Sequence, residues 1–215
     1  SSKRLPEKVL RKINGLEIIK HNIKNLKKSK FRFRIVVATS THQSDKKLVS
    51  FLKRNNIEYF CGSLDNVLYR LLKCALTYKE KYFIRINGDS PFIDKKIIDK
   101  MVFFFKKKNN NFDLITNVYP RTFPKGQSVE IIKTQCLQKI SKKKISKLEK
   151  EHVTKFIYDN NKLFKIKNIP NFKNQSNYSL CVDTGNELNL FKKKLKDVSL
   201  TKAINFKRLK KIIYD

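Results

Sequence analysis

Short apolar runs alternate with longer amphipathic stretches along the first half of the chain, and this alternation restricts the fold more than any other feature. An apolar run too short for a helix suits a strand buried on both faces, and the amphipathic stretches then cover it. The pattern is that of a parallel or mixed sheet covered by helices, an α/β class. Strands are expected at 34–39 (RIVVAT), 57–61, 82–87 (YFIRIN) and 113–117 (DLITN), and helices at 15–26, 45–55, 64–78 and 94–107. After Asn117 the alternation loosens. A strand fits 129–132, a helix 147–158, further strands 164–169 and 179–182, and two last helices start at Gly185 and Thr201. The 215 residues suit one α/β domain or two small ones, and no repeat, linker or composition shift marks a boundary. Residues 120–126 form the one loop-like stretch with turn residues at both ends.

Ligands of α/β sheets bind beyond the carboxyl ends of the strands. Those positions hold Ser40 and Thr41, then Gly62-Ser63 with Asp65 in the following turn, then Gly88-Asp89-Ser90-Pro91, and late in the chain Val182-Asp183-Thr184-Gly185. The opening residues, SSKRLPEKVL, combine hydroxyls, the cations Arg4 and Lys8, a proline turn and an apolar run, an arrangement able to wrap a polyphosphate. Such a loop normally follows a core strand. None precedes this one and Ser1 is not an initiator Met, so the expectation is that the true N-terminus, and the first strand with it, is absent, leaving an empty central slot in the sheet. Asp89 and Asp183 fall at the same sheet edge as this loop. Magnesium is commonly held by one or two carboxylates plus substrate phosphates, so the set suggests Mg-nucleotide chemistry. Each element also has a plain reading. Arg4 and Lys8 suit a solvated surface, Asp89 and Asp183 suit turn caps, Gly62-Ser63 is a common strand-to-helix junction, and Glu151-His152 suits an exposed helix face. The signal lies in their combination and order.

The formal charge of +32, from 50 Lys plus Arg against 18 Asp plus Glu, invites a nucleic-acid reading. The excess is mostly Lys, spread along nearly every expected helix and not gathered into a stripe with interleaved aromatics, which argues against one. Runs such as Lys106-Lys107-Lys108 and Lys142-Lys143-Lys144 suit helix ends. Cys61, Cys74, Cys136 and Cys181 stand singly, as free thiols of a reducing cytoplasm do, and His21, His42 and His152 make no metal-ligand spacing. No apolar run is long enough to span a bilayer.

Seven segments in fixed order resemble the cytidylyltransferases of spore-coat polysaccharide and surface-glycan synthesis, relatives of the CMP-sialic acid and CMP-Kdo synthetases. They are SSKRLPEKVL at the start, IVVATS at 35–40, GSLDNVLYR at 62–70, RINGDSPFID at 85–94, PRTFPKG at 120–126, EHVTKFIY at 151–158, and Val182-Asp183-Thr184. The resemblance runs from Ser1 to about Leu190. It implies a single nucleotidyltransferase domain over 1–215, a three-layer α/β/α sandwich around a mixed, mostly parallel sheet, and transfer of CMP from CTP to a sugar with release of pyrophosphate.

By matching position, the resemblance assigns Ser1, Ser2, Arg4 and Lys8 to the triphosphate, with Arg4, Lys8 and Asp89 catalytic. It assigns Ser40, Gly62, Ser63, Arg70 and Asn87 to the nucleotide, and Asp89 and Asp183 to Mg²⁺. Arg121, Gly126, Glu130, Glu151 and His152 would face the sugar acceptor. Residues 118–160 correspond to a sugar-site and dimerisation region, so a homodimer is expected, in the cytoplasm, with no nucleic-acid partner and no membrane span. Departures are the absent first strand with its Gln-Ala-Arg segment, Glu7 for a usual Gly, Ser128 for a frequent Asp, and Gly185 for a Pro. Other readings stay open at this level: an enzyme whose acceptor is a sugar phosphate, a silent nucleotide-sugar binder, or a basic nucleic-acid binder whose heparin retention collapses with modest salt.

Overall fold

The described residues open with a loop and a single 3-10 turn, Lys8–Leu10, followed by a short hairpin of β1 (Lys12–Ile13) and β2 (Leu16–Glu17). A computed structural model describes residues 4–107, 111–198, 200 and 205–215. Where the periodicity predicts one helix from residue 15, the hairpin intervenes. Asn14 and Gly15 both take positive φ and reverse the chain, so α1 spans only Ile18–Leu26. There follow β3 (Val37–Ser40), α2 (Lys46–Arg54), β4 (Tyr59–Gly62), α3 (Val67–Thr77), β5 (Tyr82–Arg85), α4 (Lys95–Lys107), β6 (Leu114–Thr116), β7 (Glu130–Lys133) and α5 (Thr134–Ser141). Helix α5 departs from β7 without a loop and was not evident from the pattern. The helix expected over 147–158 is two, α6 (Lys147–Glu151) and α7 (Lys155–Asp159), broken where His152 leaves helical geometry. Strand β8 (Ile166–Asn168), α8 (Gly185–Leu195) and α9 (Phe206–Tyr214) complete the described elements. The expected helix start at Thr201 lies outside the described residues. Residues 179–182 form no ladder strand; Ser179 makes a single bridge to Lys125.

The sheet is mixed. β3 and β4 pair in parallel, with Ser40 opposite Gly62. The order β5-β7-β6-β8 makes a four-stranded sheet in which β7 runs against both neighbours and β6 is parallel to β8. Period-two alternation along these strands builds two cores. Leu114 and Ile132 point to one face, among Leu68, Leu72, Leu137, Ile140 and Ile157 of α3, α5 and α7. Ile115 and Ile131 point to the other, among Ile98, Met101 and Val102 of α4. Helices therefore cover both faces, a three-layer α/β/α arrangement. A third cluster joins Ile13 and Ile18 to Phe92, Leu180, Val182 and the apolar stripes of α8 and α9.

No ladder joins β3 to β5 among the described residues. Between them lies a cavity of about 610 Å³. Its walls include seven successive residues on each side, 32–38 and 82–88. A strand presenting a face to a cavity would contribute alternate residues, so these strands bound it with their edges. α1 and α4 close the cavity with Ile19, Ile23, Ile98 and Val102, while α3 adds Val67, Leu71 and Ala75. The cavity has the outline of a strand position within the middle layer.

Gly126 shows why the 120–126 loop needs a glycine. Its φ is +86°, and an added Cβ would stand 2.8 Å from the Leu180 carbonyl carbon. Gly126→Ala is expected to cost about 2–4 kcal/mol, from left-handed strain plus a backbone clash, read as a lowered denaturation midpoint.

Candidate active site

The opening loop is turned by Glu7, which has φ 55° and ψ 27°, a conformation that glycine adopts with less strain. Its carboxylate pairs with Lys47 at 2.8 Å. Leu5 packs into the cluster containing Leu180 and Val182, which fixes the loop against the segment carrying Asp183. Lys8 then reaches between two carboxylates, with Nζ 2.6 Å from Asp89 Oδ2 and 2.7 Å from Asp183 Oδ1. Burial opposes the charge on this ammonium, but hydrogen bonds and attraction from both aspartates outweigh it and raise the pKa above the ordinary lysine value. Arg4 approaches Asp183 Oδ2 at 3.6 Å and is largely exposed.

Neighbouring backbone holds both aspartates in place. Val182 N–H donates to the Asp89 carbonyl at 3.1 Å. Asn22 on α1, itself buried, donates to the carbonyls of Asn87 (2.8 Å) and Ser90 (3.2 Å), and Asn25 one turn later donates to that of Pro91 (3.0 Å). The Asp183 N–H donates to Glu187 Oε2 at 2.8 Å, and Thr184 with Glu187 forms the capping box of α8. Asp183 is thus not the cap of α8; Thr184 fills that role, with Glu187 as its capping-box partner. Cys181, between these elements, is pushed up to about 12 by burial and by the nearby charges of Asp89 and Asp183, and so stays a neutral thiol.

At the carboxyl ends of β3 and β4, Ser40 is buried and donates through N–H (3.0 Å) and Oγ (2.6 Å) to Asp45 Oδ2, which also receives Thr39 Oγ1 at 2.8 Å. Burial raises the Asp45 pKa, but these donors outweigh it and hold the carboxyl below its usual range. Gly62 faces Arg70 so closely that a Cβ would stand 2.9 Å from Arg70 Cγ. Arg70 donates to the Ser63 carbonyl at 2.6 Å, and its buried Nε has no hydrogen-bond partner.

The residues assigned to the acceptor are less uniform. Arg121 donates to Ser128 Oγ at 3.1 Å, and its other terminal nitrogen is buried without a partner. Glu130 is buried in β7, paired with Arg85 and accepting from Tyr158 O–H at 2.7 Å. The environment of Tyr158, its burial first and then the Glu130 charge, drives the phenol pKa far upward. Glu151 and His152 are exposed at the α6–α7 break, and no hydrogen bond or ion pair links either to the Lys8 cluster among the described residues. Ser1 and Ser2 lie outside the described residues. Asn22, Asn25, Asp45 and Glu187 were not singled out from the sequence, although the Asn-x-x-Asn spacing on α1 and the Thr-x-x-Glu box at 184–187 are its visible traces.

Two carboxylates converging on one cation position fit Mg²⁺, which accepts one or two carboxylates when substrate phosphates supply further oxygens. Among the described residues there is no group of three or more His, Cys, Asp or Glu able to hold a metal without such help. No helix among them is long and apolar enough to cross a membrane.

The arrangement has counterparts in known proteins. The chain is 33% identical over 192 residues to the uncharacterized protein MJ1063 of Methanocaldococcus jannaschii, covering 88% of this chain and 77% of the relative. It is 29% identical over 192 residues to the spore coat polysaccharide biosynthesis protein SpsF of Bacillus subtilis, covering 85% and 77%. Among solved structures, a cytidylyltransferase from Leptospira borgpetersenii superposes with a TM-score of 0.90 at 30% identity, over 99% of this chain and 92% of that one. CMP:2-keto-3-deoxy-manno-octonic acid synthetase shares the fold, with a TM-score of 0.68 at 16% identity over 91% and 94%. The family model for cytidylyltransferases matches residues 1–213: the chain belongs to the cytidylyltransferase family, and it is a nucleotidyltransferase.

Proposed function

We propose that the protein transfers CMP from CTP to a sugar acceptor, with release of pyrophosphate and dependence on Mg²⁺, in surface-polysaccharide synthesis. The observation that carries this reading is the convergence of Asp89 and Asp183 on one cation position, taken by the Lys8 ammonium, with Arg4 beside it. Arg4 and Lys8 would neutralise the triphosphate and the departing pyrophosphate. Asp89 and Asp183 would hold the metal, which when bound offsets phosphate charge and aligns the oxygens for in-line displacement. The adjoining ends of β3 and β4, with Ser40, Gly62 and Ser63, would hold the base. The relative named for spore-coat polysaccharide synthesis supports the pathway class. The unpartnered buried nitrogen of Arg121 favours an acceptor that carries an anionic group, either a carboxylate or a phosphate.

Pyrophosphate release should be measured with CTP and Mg²⁺ across nonulosonic acids, neutral amino sugars and sugar phosphates. CTP is expected to be preferred over ATP and GTP, with UTP the nearest competitor and an acidic acceptor the best. Chelation of the metal should abolish turnover. Comparable turnover with a purine triphosphate would overturn the proposed nucleotide specificity and leave the fold intact.

A further inference from the structure

The Lys8 ammonium occupies the place where the carboxylates of Asp89 and Asp183 converge, and it engages one oxygen of each at 2.6 and 2.7 Å. A divalent cation drawn to that place competes with the Lys8 ammonium for the same carboxylates. The carboxylates are short side chains on backbone anchored independently of Lys8, through Val182 N–H to the Asp89 carbonyl and Asp183 N–H to Glu187. Lys8 is different: a point charge on a long flexible stem, with its side chain 18% exposed beside Asp89 at 21%. Of the three charges it is the one that can leave. The count of charge points the same way. Lys8 and Arg4 together balance Asp89 and Asp183, so a metal ion arriving alone meets a pair already neutralised and a cation in its path. A nucleoside triphosphate changes the balance, because its phosphate oxygens offer Lys8 and Arg4 new partners and supply the metal with further ligands.

We propose that Lys8 is a resident counter-ion which keeps the Asp89–Asp183 pair closed to divalent cations until a nucleoside triphosphate draws its ammonium away, so that metal and nucleotide enter together. The idea rests on the metal reading given above. It makes metal and nucleotide binding reciprocally coupled, with Lys8 the source of much of the coupling.

The test is Mn²⁺ binding to the whole protein, followed by the electron paramagnetic resonance signal of the free ion, with and without α,β-methylene-CTP. Asp183→Asn serves as the control for chelation by the nucleotide itself. The unaltered protein should bind Mn²⁺ weakly alone and at least about tenfold more tightly with the analogue. Lys8→Met should bind Mn²⁺ alone at least about tenfold more tightly than the unaltered protein, with the coupling to nucleotide reduced. Lys8→Arg, which keeps the charge, should stay closed. Circular dichroism checks folding, and Lys8→Gln repeats the measurement if Lys8→Met is unfolded. If the uncharged variants gain no affinity for Mn²⁺ while the unaltered protein still binds it with the analogue, the counter-ion role fails and the metal reading stands. If the unaltered protein with the analogue binds no more Mn²⁺ than the Asp183→Asn control, both fail.

Discussion

Asp89→Asn and Asp183→Asn are each expected to lower turnover at least about a hundredfold while leaving the fold in place. The two effects separate because of what each carboxylate touches. Neither side chain is the main tie of its own turn: Asp89 accepts only a long bond from Ser90 Oγ at 3.4 Å, while Asn22, Asn25 and Val182 N–H tie its loop, and the Asp183 N–H is taken by Glu187. Both carboxylates instead spend their charge on Lys8. An amide keeps one hydrogen-bonding oxygen, and the remaining carboxylate keeps Lys8 paired, so the loss of stability should be about 1–2 kcal/mol. Chemistry is more sensitive, since a neutral amide would hold a divalent cation far less well than the carboxylate it replaces. Partial recovery at high metal concentration is expected. Turnover within a few-fold of the unaltered protein, with a lowered denaturation midpoint, would show that the pair serves folding only.

Supplying a strand to the cavity between β3 and β5 should produce the largest gain in stability. Extending the chain ahead of Ser1 through an apolar strand of about six residues, the usual strand length, is expected to raise the thermal midpoint by roughly 10 °C. Each buried aliphatic side chain contributes about 1.5–3 kcal/mol and each ladder hydrogen bond about 1 kcal/mol, against about 1–2 kcal/mol per residue of ordered backbone. The surplus is a few kcal/mol, and each one moves the midpoint of a chain this size by about 2–4 °C. Affinity for CTP should rise as well, because Ser40 and Asp89 stand at the ends of strands that the insertion would join into one sheet. The added strand needs apolar residues on both faces, since α1 and α4 lie on one side and α3 on the other. Equal midpoints with and without it would show that the cavity is not a strand position. The same cavity leaves two strand edges without ladder partners among the described residues, a recognised route to edge-to-edge association.

Legibility in the sequence followed the range of the interactions. RIVVAT and YFIRIN could be read as strands from their apolar runs, although only Val37–Ser40 and Tyr82–Arg85 enter ladders and most of their residues are half-buried beside the cavity instead of buried on both faces. Helices α3 and α4 could be read because their apolar spacing repeats every turn. The helix expected from residue 15 was misread. Ile18, Ile19 and Ile23 carry a helical period, but the positive φ of Asn14 and Gly15 places a hairpin ahead of it. The break at His152 was hidden for the opposite reason: Val153 and Ile157 keep a helical spacing across a point where the backbone leaves the helix. Glu130 could be named from the family resemblance, yet only the fold shows it enclosed by Arg85 and Tyr158.

By itself the sequence determined the α/β class, the family, and the short motifs at the strand ends, because these depend on residue order and on periods of two and 3.6 that neighbouring residues set. Tertiary structure decided what those motifs become together. Lys8 and Asp183 are 175 positions apart and meet at 2.7 Å, which no local pattern encodes. Leu5 brings the loop to Val182, Asn22 and Asn25 brace the Asp89 loop from another element, and the cavity between β3 and β5 appears only when both edges are placed side by side. The reason is physical: packing and charge pairing act through space, and the chain's order carries only the residues that can satisfy them once the fold brings them together.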